Sequence, residues 1–291
     1  MLWHKINKAK NDYQFSNYTP LQEIIKSISF VGAGNVATHL AEAFHMAGFS
    51  IGKIFSRTHN SAIELAENVG GQACNSISEV LNSSQIVVVA VPDHVLSSLI
   101  DFQVPNNIII VHTSGAVEMN VFRSKAMHYG VLYPLQTFSQ KIAMDLKKVP
   151  FCIEASDKDT LEMLRHVAST VSDIVVEIDS DRRKVLHLAA VFACNFPNTL
   201  YAMAYDILRT NDLPFELLHP LILETARKAT LDQPSNMQTG PARRNDITTI
   251  QIHETMLKDM ASYKEIYTLL SNTIQVHYQA EKDQDLNSQN G

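Results

Sequence analysis

Two patterns of apolar and polar positions divide the chain. Up to about Ser180, short apolar runs alternate with stretches of helical spacing; beyond it only helical spacing persists. The first run, Ile28 to Val31, leads into Gly32-Ala33-Gly34. Val36, Leu40, Ala43, Phe44 and Ala47 then share one helix face, which Gly48 closes. Ser50–Phe55 is the next run. A helix over Ser61–Val69, ended by Gly70-Gly71, precedes a short strand at Ala73-Cys74 and a helix over Ile77–Leu81. Strands are predicted at Ile86–Val91, Asn107–His112 and Tyr129–Tyr133. Phe151–Glu154 and Ile174–Ile178, with a helix over Lys158–Thr170 between them, have the lengths of a further β-α-β unit in the same sheet. Continuous apolar runs separated by helices are what a parallel sheet covered on both faces requires.

From Asp181 the reading changes. Asp181–Thr210 reads as one long helix that Pro197 bends, and Pro214–Leu231 as a second, bent or split at Pro220. Asp246 is placed to N-cap a helix over Ile247–Leu257, and Tyr263–Val276 is the last. The fold class expected is therefore α/β: a Rossmann-type doubly wound parallel sheet over residues 27–180, followed by an all-α C-terminal domain over 181–280. Residues 1–26 are expected to form a loose extension, with a helical turn near Leu21–Ile25, and 281–291 a disordered tail.

Composition narrows the function classes. A chain of 291 residues, 45% hydrophobic and 19% charged, has ample material for a core. A formal net charge of -6 without a Lys/Arg cluster argues against nucleic acid as a partner. No run reaches the length of a membrane span, and no secretory signal core is seen, so a cytoplasmic location is expected. Cys74, Cys152 and Cys194 are far apart, which disfavours a disulfide framework or a metal site.

The glycine turn carries the first candidate chemistry. Gly32-x-Gly34-x-x-Ala37 between a strand and a helix fits a dinucleotide-binding turn, with Asn35 and Val36 offering N–H groups at the helix start. The end of the second strand reads Ser56-Arg57-Thr58, with no carboxylate for a ribose 2′-hydroxyl. A guanidinium and two hydroxyls suit a 2′-phosphate, which favours NADP over NAD. Val91-Pro92 and Thr113 fall at strand ends where such a cofactor lies, and Asp93 is placed to cap a helix starting at Val95. Ser114 either contacts the nicotinamide ribose or substrate, or caps the segment after it. In the helical half, Lys184, His187, Asn195 and Asn198 look to one side of a mostly apolar helix. A ligand pocket or another helix would satisfy them equally. Arg243 and Arg244, beside Asp246, would offer positive charge to an anionic substrate group.

On five stretches the chain resembles a two-domain family of NADP-linked oxidoreductases: Phe30–Ala37, Val111–Ala116, Leu132–Phe138, His187–Asn195 and Thr239–Asp246. The N-terminal half is similar to the Rossmann domain of deazaflavin-dependent NADP oxidoreductases. The C-terminal half is similar to a helical domain of unknown function related to the 6-phosphogluconate dehydrogenase type. The resemblance implies a homodimer through the helical domain and is compatible with a deazaflavin partner. Related hydroxyacid dehydrogenases use a Lys with an Asn four positions later; here Lys184 is followed by Leu188, so that pair is absent. The reaction expected is hydride transfer between NADP and a small anionic carbonyl or imine. His187 is expected as acid/base, Asn195 and Ser114 as orienting groups, and Arg244, Asp246 and Gln136 as substrate contacts. Three alternatives share these residues: a non-catalytic NADP sensor, a pyrroline-5-carboxylate reductase-like enzyme and a prephenate dehydrogenase-like enzyme.

Overall fold

The structure, a computed structural model, describes residues 26–96, 99, 103–139 and 142–289. The expected N-terminal extension lies almost wholly outside the described residues. Strand β1 (Ser27–Val31) runs into helix α1 (Asn35–Met46), β2 (Ser50–Phe55), α2 (His59–Val69), β3 (Gln72–Cys74) and α3 (Ile77–Leu81). Then come β4 (Ile86–Val89), α4 (Asp93–Leu96), β5 (Ile109–His112) and β6 (His128–Pro134). The sheet segment closes with β7 (Phe151–Ala155), α5 (Lys158–Val171) and β8 (Val175–Glu177). One eight-stranded sheet results, in the order β3-β2-β1-β4-β5-β6-β7-β8.

The continuous apolar runs are explained by burial on both faces. Every residue of β4 is buried. Alternation along the strand sends Ile86 and Val88 to one core, with Phe30, Leu40 and Phe44, and Val87 and Val89 to the other, with Val31, Leu96 and Ile110. At about 25 cal/mol per Å² of apolar surface, each such side chain contributes roughly 1.5–3 kcal/mol.

One strand departs from expectation. β7 pairs antiparallel with β6, from Gly130↔Ala155 to Pro134↔Phe151, while β7 and β8 are parallel. A parallel partner needs a long crossover. Among the described residues, the link from β6 to β7 contains only a 3₁₀ turn, Leu146–Lys148. Asp93 is another correction: α4 begins at Asp93 itself, and the carbonyl of Pro92 just before it accepts from the N–H groups of Val95 and Leu96, so Asp93 lies within the helix rather than capping it.

The long helix expected over 181–210 is three pieces. α6 (Ser180–Ala190) gives way to a π-helical turn, Val191–Asn195, and α7 (Phe196–Arg209) follows. Pro197 has no N–H, and its ring would crowd the carbonyl four residues back in an ideal α-helix. A widened π turn just before it removes that conflict. The expected second helix is split beside Pro220: a 3₁₀ turn, Phe215–Leu218, precedes α8 (His219–Leu231), and Pro220 sits in the first turn of α8, where a missing N–H is harmless.

By compactness the chain divides after Asn195. The first unit carries on past the end of the strands because α6 is pinned to the sheet by a buried ion pair described below. The second unit holds α7, α8, α9 (Pro241–Arg244), α10 (Ile247–Met256) and α11 (Ala261–Gln289). Helix α11 runs on through most of the residues expected to form a tail. Ala242, Ile250, Leu257 and Tyr278 are buried there, whereas α7 and α8 contain no buried residue. Asp246 caps α10 as expected, accepting from the Thr249 N–H at 3.1 Å.

Candidate functional site

At the carboxyl ends of β1, β2 and β4 an open groove of about 260 Å³ collects Gly32, Gly34, Ser56, Arg57, Thr58, Val91 and Pro92. All seven were expected there. Ser61, Val95 and Leu99 also line it and were missed. Ser61 was legible: it lies one helical turn after Thr58, so its hydroxyl belongs to the same face.

The two glycines act for different reasons. Gly32 has φ +116°, and a Cβ there would collide with the Ala90 carbonyl, so the fold itself requires glycine. Gly34 has φ -88° and ψ -173°, ordinary extended backbone, and a Cβ on it would meet nothing within 4 Å. No protein atom explains glycine at that position. The open space lies at the N-terminus of α1, whose N-cap makes no side-chain hydrogen bond. First-turn N–H groups and the positive helix end there suit a diphosphate. Arg57 is exposed and, among the described residues, pairs with no carboxylate. These residues fit an NADP diphosphate and 2′-phosphate.

Other expected contacts are placed differently. The Asn35 side chain donates to the Phe138 carbonyl at 2.8 Å, and neither Asn35 nor Val36 is among the residues that line the groove. Thr113 does not line the groove; its N–H donates to Val89 at 3.3 Å and extends the sheet. The buried Ser114 hydroxyl accepts from the N–H groups of Ala116 and Val117 at 3.1 and 3.0 Å, the capping arrangement. Gln136 accepts from its neighbour's N–H, Thr137, at 2.9 Å. Asn195 ends the π-helical turn and is exposed. Arg244 and Asp246 belong to the second unit. There Arg244 is exposed, and the Asp246 carboxyl is held below the usual range by the hydroxyl and N–H of Thr249. Lys184 pairs with Glu118 at 2.7 Å.

A second cluster forms where β5, β6 and α6 meet. His187, on α6, places Nδ1 3.1 Å from the Tyr133 hydroxyl at the end of β6. The rings meet edge-on, centroids 5.9 Å apart at 75°. Gly115 lies against the imidazole: a Cβ there would sit 2.6 Å from Nδ1. Burial raises the Tyr133 phenol to about 12, so it stays protonated. Its neighbourhood is organised by Arg183, which sequence reasoning missed. Arg183 is fully buried and donates to Glu154 at 2.5 Å, to the Val117 carbonyl at 2.6 Å and to Ser180 Oγ at 3.1 Å. Ser180 in turn donates to Glu154 at 2.7 Å. Nothing local singles it out, because Arg183 stands between Arg182 and Lys184 in the charged first turn of α6. His112, also fully buried, is pushed down to about 3 by burial and by the charge of Arg183, with the Glu118 carbonyl opposing. Its Nδ1 accepts from the Ser114 N–H at 3.2 Å, so the ring is neutral with its proton on Nε2.

Among the described residues no cluster of His, Cys, Asp or Glu could hold a metal ion, and no helix is long and apolar enough to cross a membrane.

Two family profiles match the chain: "NADP oxidoreductase coenzyme F420-dependent" over residues 27–114 and "Domain of unknown function (DUF2520)" over 149–274. Among solved structures, the "putative NADP oxidoreductase BF3122 from Bacteroides fragilis" is 42% identical, with 86% of this chain and 98% of that one covered and a TM-score of 0.81. Protein TM1727 from Thermotoga maritima is 24% identical over 88% and 99% of the chains, TM-score 0.63. An imine reductase from Myxococcus stipitatus, in complex with NADP+, is 15% identical over 87% and 94%, TM-score 0.62, a likeness of fold alone. No curated protein matches the chain.

Proposed function

Because the chain belongs to the NADP oxidoreductase family that joins an F420-dependent-type nucleotide domain to a DUF2520 domain, we propose that it transfers hydride between NADP and a small carbonyl or imine. The carrying observation is Gly34, a glycine that neither backbone strain nor packing requires, facing open space at a helix N-terminus. NADPH, when bound, supplies the hydride. The first-turn N–H groups of α1 hold the diphosphate, and Arg57, Ser56 and Thr58 hold the 2′-phosphate. His187 supplies the proton that the reduced oxygen or nitrogen takes up: an imidazolium gives its Nε2 proton, and in the reverse direction the neutral ring recovers it. The NADP+ complex of the imine reductase, a protein of like fold, supports the cofactor.

Two measurements test the reading. Arg57→Ala should weaken NADPH binding by about 1.5–3 kcal/mol, the scale of a hydrogen bond to a charged group, and leave NADH nearly unchanged. Fluorescence titration with both cofactors reads this, and equal loss for the two rules out a 2′-phosphate contact. In a screen of carbonyls and imines, turnover with NADPH should fall about 100-fold in His187→Ala at unaltered NADPH affinity. Undiminished turnover in that variant removes His187 from the chemistry.

A further inference from the structure

We propose that Tyr133 is the positioning residue that fixes which nitrogen of His187 exchanges protons, by accepting the Nδ1–H and leaving Nε2 as the exchanging atom. The inference rests on the reading of His187 as acid/base and deepens it. Three contacts define the ring. The Tyr133 hydroxyl lies 3.1 Å from Nδ1. Gly115 abuts the same edge so closely that only a hydrogen fits between. Helix α6, which carries the ring, is tied to β7 and to the Val117 carbonyl through Arg183. The ring therefore cannot swing to another partner without moving its helix or the Gly115 loop. Among the described residues Nε2 has no hydrogen-bond partner, which leaves it for a ligand.

The hydrogen-bond balance sets the direction. In the imidazolium both nitrogens carry protons, so Nδ1–H must donate and the hydroxyl oxygen must accept. When Nε2 gives its proton to the reduced substrate atom, Nδ1 retains its own hydrogen, and the Nδ1–H···Oη bond of the imidazolium carries over unchanged. The neutral product is then the Nδ1–H tautomer, with a bare Nε2 ready to recover a proton. A phenol pushed up to about 12 stays neutral throughout and adds no charge. Free imidazole side chains prefer the opposite tautomer, with the proton on Nε2, so the arrangement needs a partner to hold it.

The test is a ¹⁵N spectrum of the histidine ring in the full-length protein without substrate, at a pH where His187 is neutral, assigned by its loss in His187→Ala. The wild type should show Nδ1 protonated and Nε2 bare. Tyr133→Phe keeps the buried ring and removes only the hydroxyl; it should shift His187 to a mixture dominated by Nε2–H. Gly115→Ala, which displaces the imidazole with the hydroxyl intact, should do the same. In Tyr133→Phe, kcat should fall about tenfold, the scale of one hydrogen bond, with KM for NADPH unchanged. Identical ring signals in wild type and Tyr133→Phe, or Nε2–H in the wild type, overturn the proposal. The spectrum needs no turnover. A protein with the expected tautomers but no loss in His187→Ala would therefore defeat the acid/base reading and leave the Tyr133 contact standing.

Discussion

Arg183→Ala should cost about 3–5 kcal/mol of stability, the penalty for breaking a buried ion pair and leaving its partner uncompensated. Arg183 is fully buried, and its guanidinium serves Glu154, Ser180 and the Val117 carbonyl together. Truncation strands the Glu154 carboxylate, only 17% exposed, and empties a large volume in the same step. Urea unfolding followed by circular dichroism measures the loss. The pair itself need not be net stabilising: replacing both charges by apolar residues of similar size, Arg183→Met with Glu154→Leu, should recover much of the deficit. If the single variant loses less than about 1 kcal/mol, the ion pair does not anchor α6. The anchoring of His187 described above would then need another source.

Acid should weaken the fold through His112 before the carboxylates act. Its ring is held neutral, pushed down from 6.5 to about 3 by burial and then by the Arg183 charge. In the unfolded chain the same ring takes up a proton near pH 6.5. Between those values the unfolded state binds more protons, so stability falls as pH falls. The stabilisation is fully present above pH 6.5. It is lost at up to about 1.4 kcal/mol per pH unit, roughly 4–5 kcal/mol in all by pH 3. Urea midpoints between pH 5 and 6.5 separate the effect from the carboxylates, which are still charged there, and the His112 variant separates it from the other histidines. His112→Asn, whose side-chain oxygen can take the place of Nδ1 as acceptor, should flatten the slope in that window. An equal slope in the variant would show that some other group titrates.

How much of the candidate site was legible depends on how locally each feature is determined. The glycine turn and Ser56-Arg57-Thr58 lie within a few residues of a strand end, and the groove assembled from them as the pattern implied. Asp246 was placed correctly because an N-cap answers to residues three positions away. Ser114 had two readings, and its hydroxyl took the local one, two N–H groups of its own turn. Tyr133 was named only as part of a stretch, and Gly115 and Arg183 were not singled out. Tyr133 and His187 are 54 positions apart, and Arg183 and Glu154 are 29 apart. Nothing in the spacing of either pair announces a contact.

The amino-acid sequence alone determined the sheet with its glycine turn, the helical half and the cation at the end of β2. Those follow from apolar periodicity, from glycine's freedom and from charge at strand ends, all of which act over one or two turns of chain. Only the tertiary structure decided that β7 runs antiparallel, that Arg183 is buried on Glu154, and that Tyr133 and Gly115 together hold His187 by one nitrogen. Those outcomes depend on which distant surfaces are pressed together when two cores close over one sheet. That choice is made by the summed burial of many side chains rather than by any residue's neighbours in sequence.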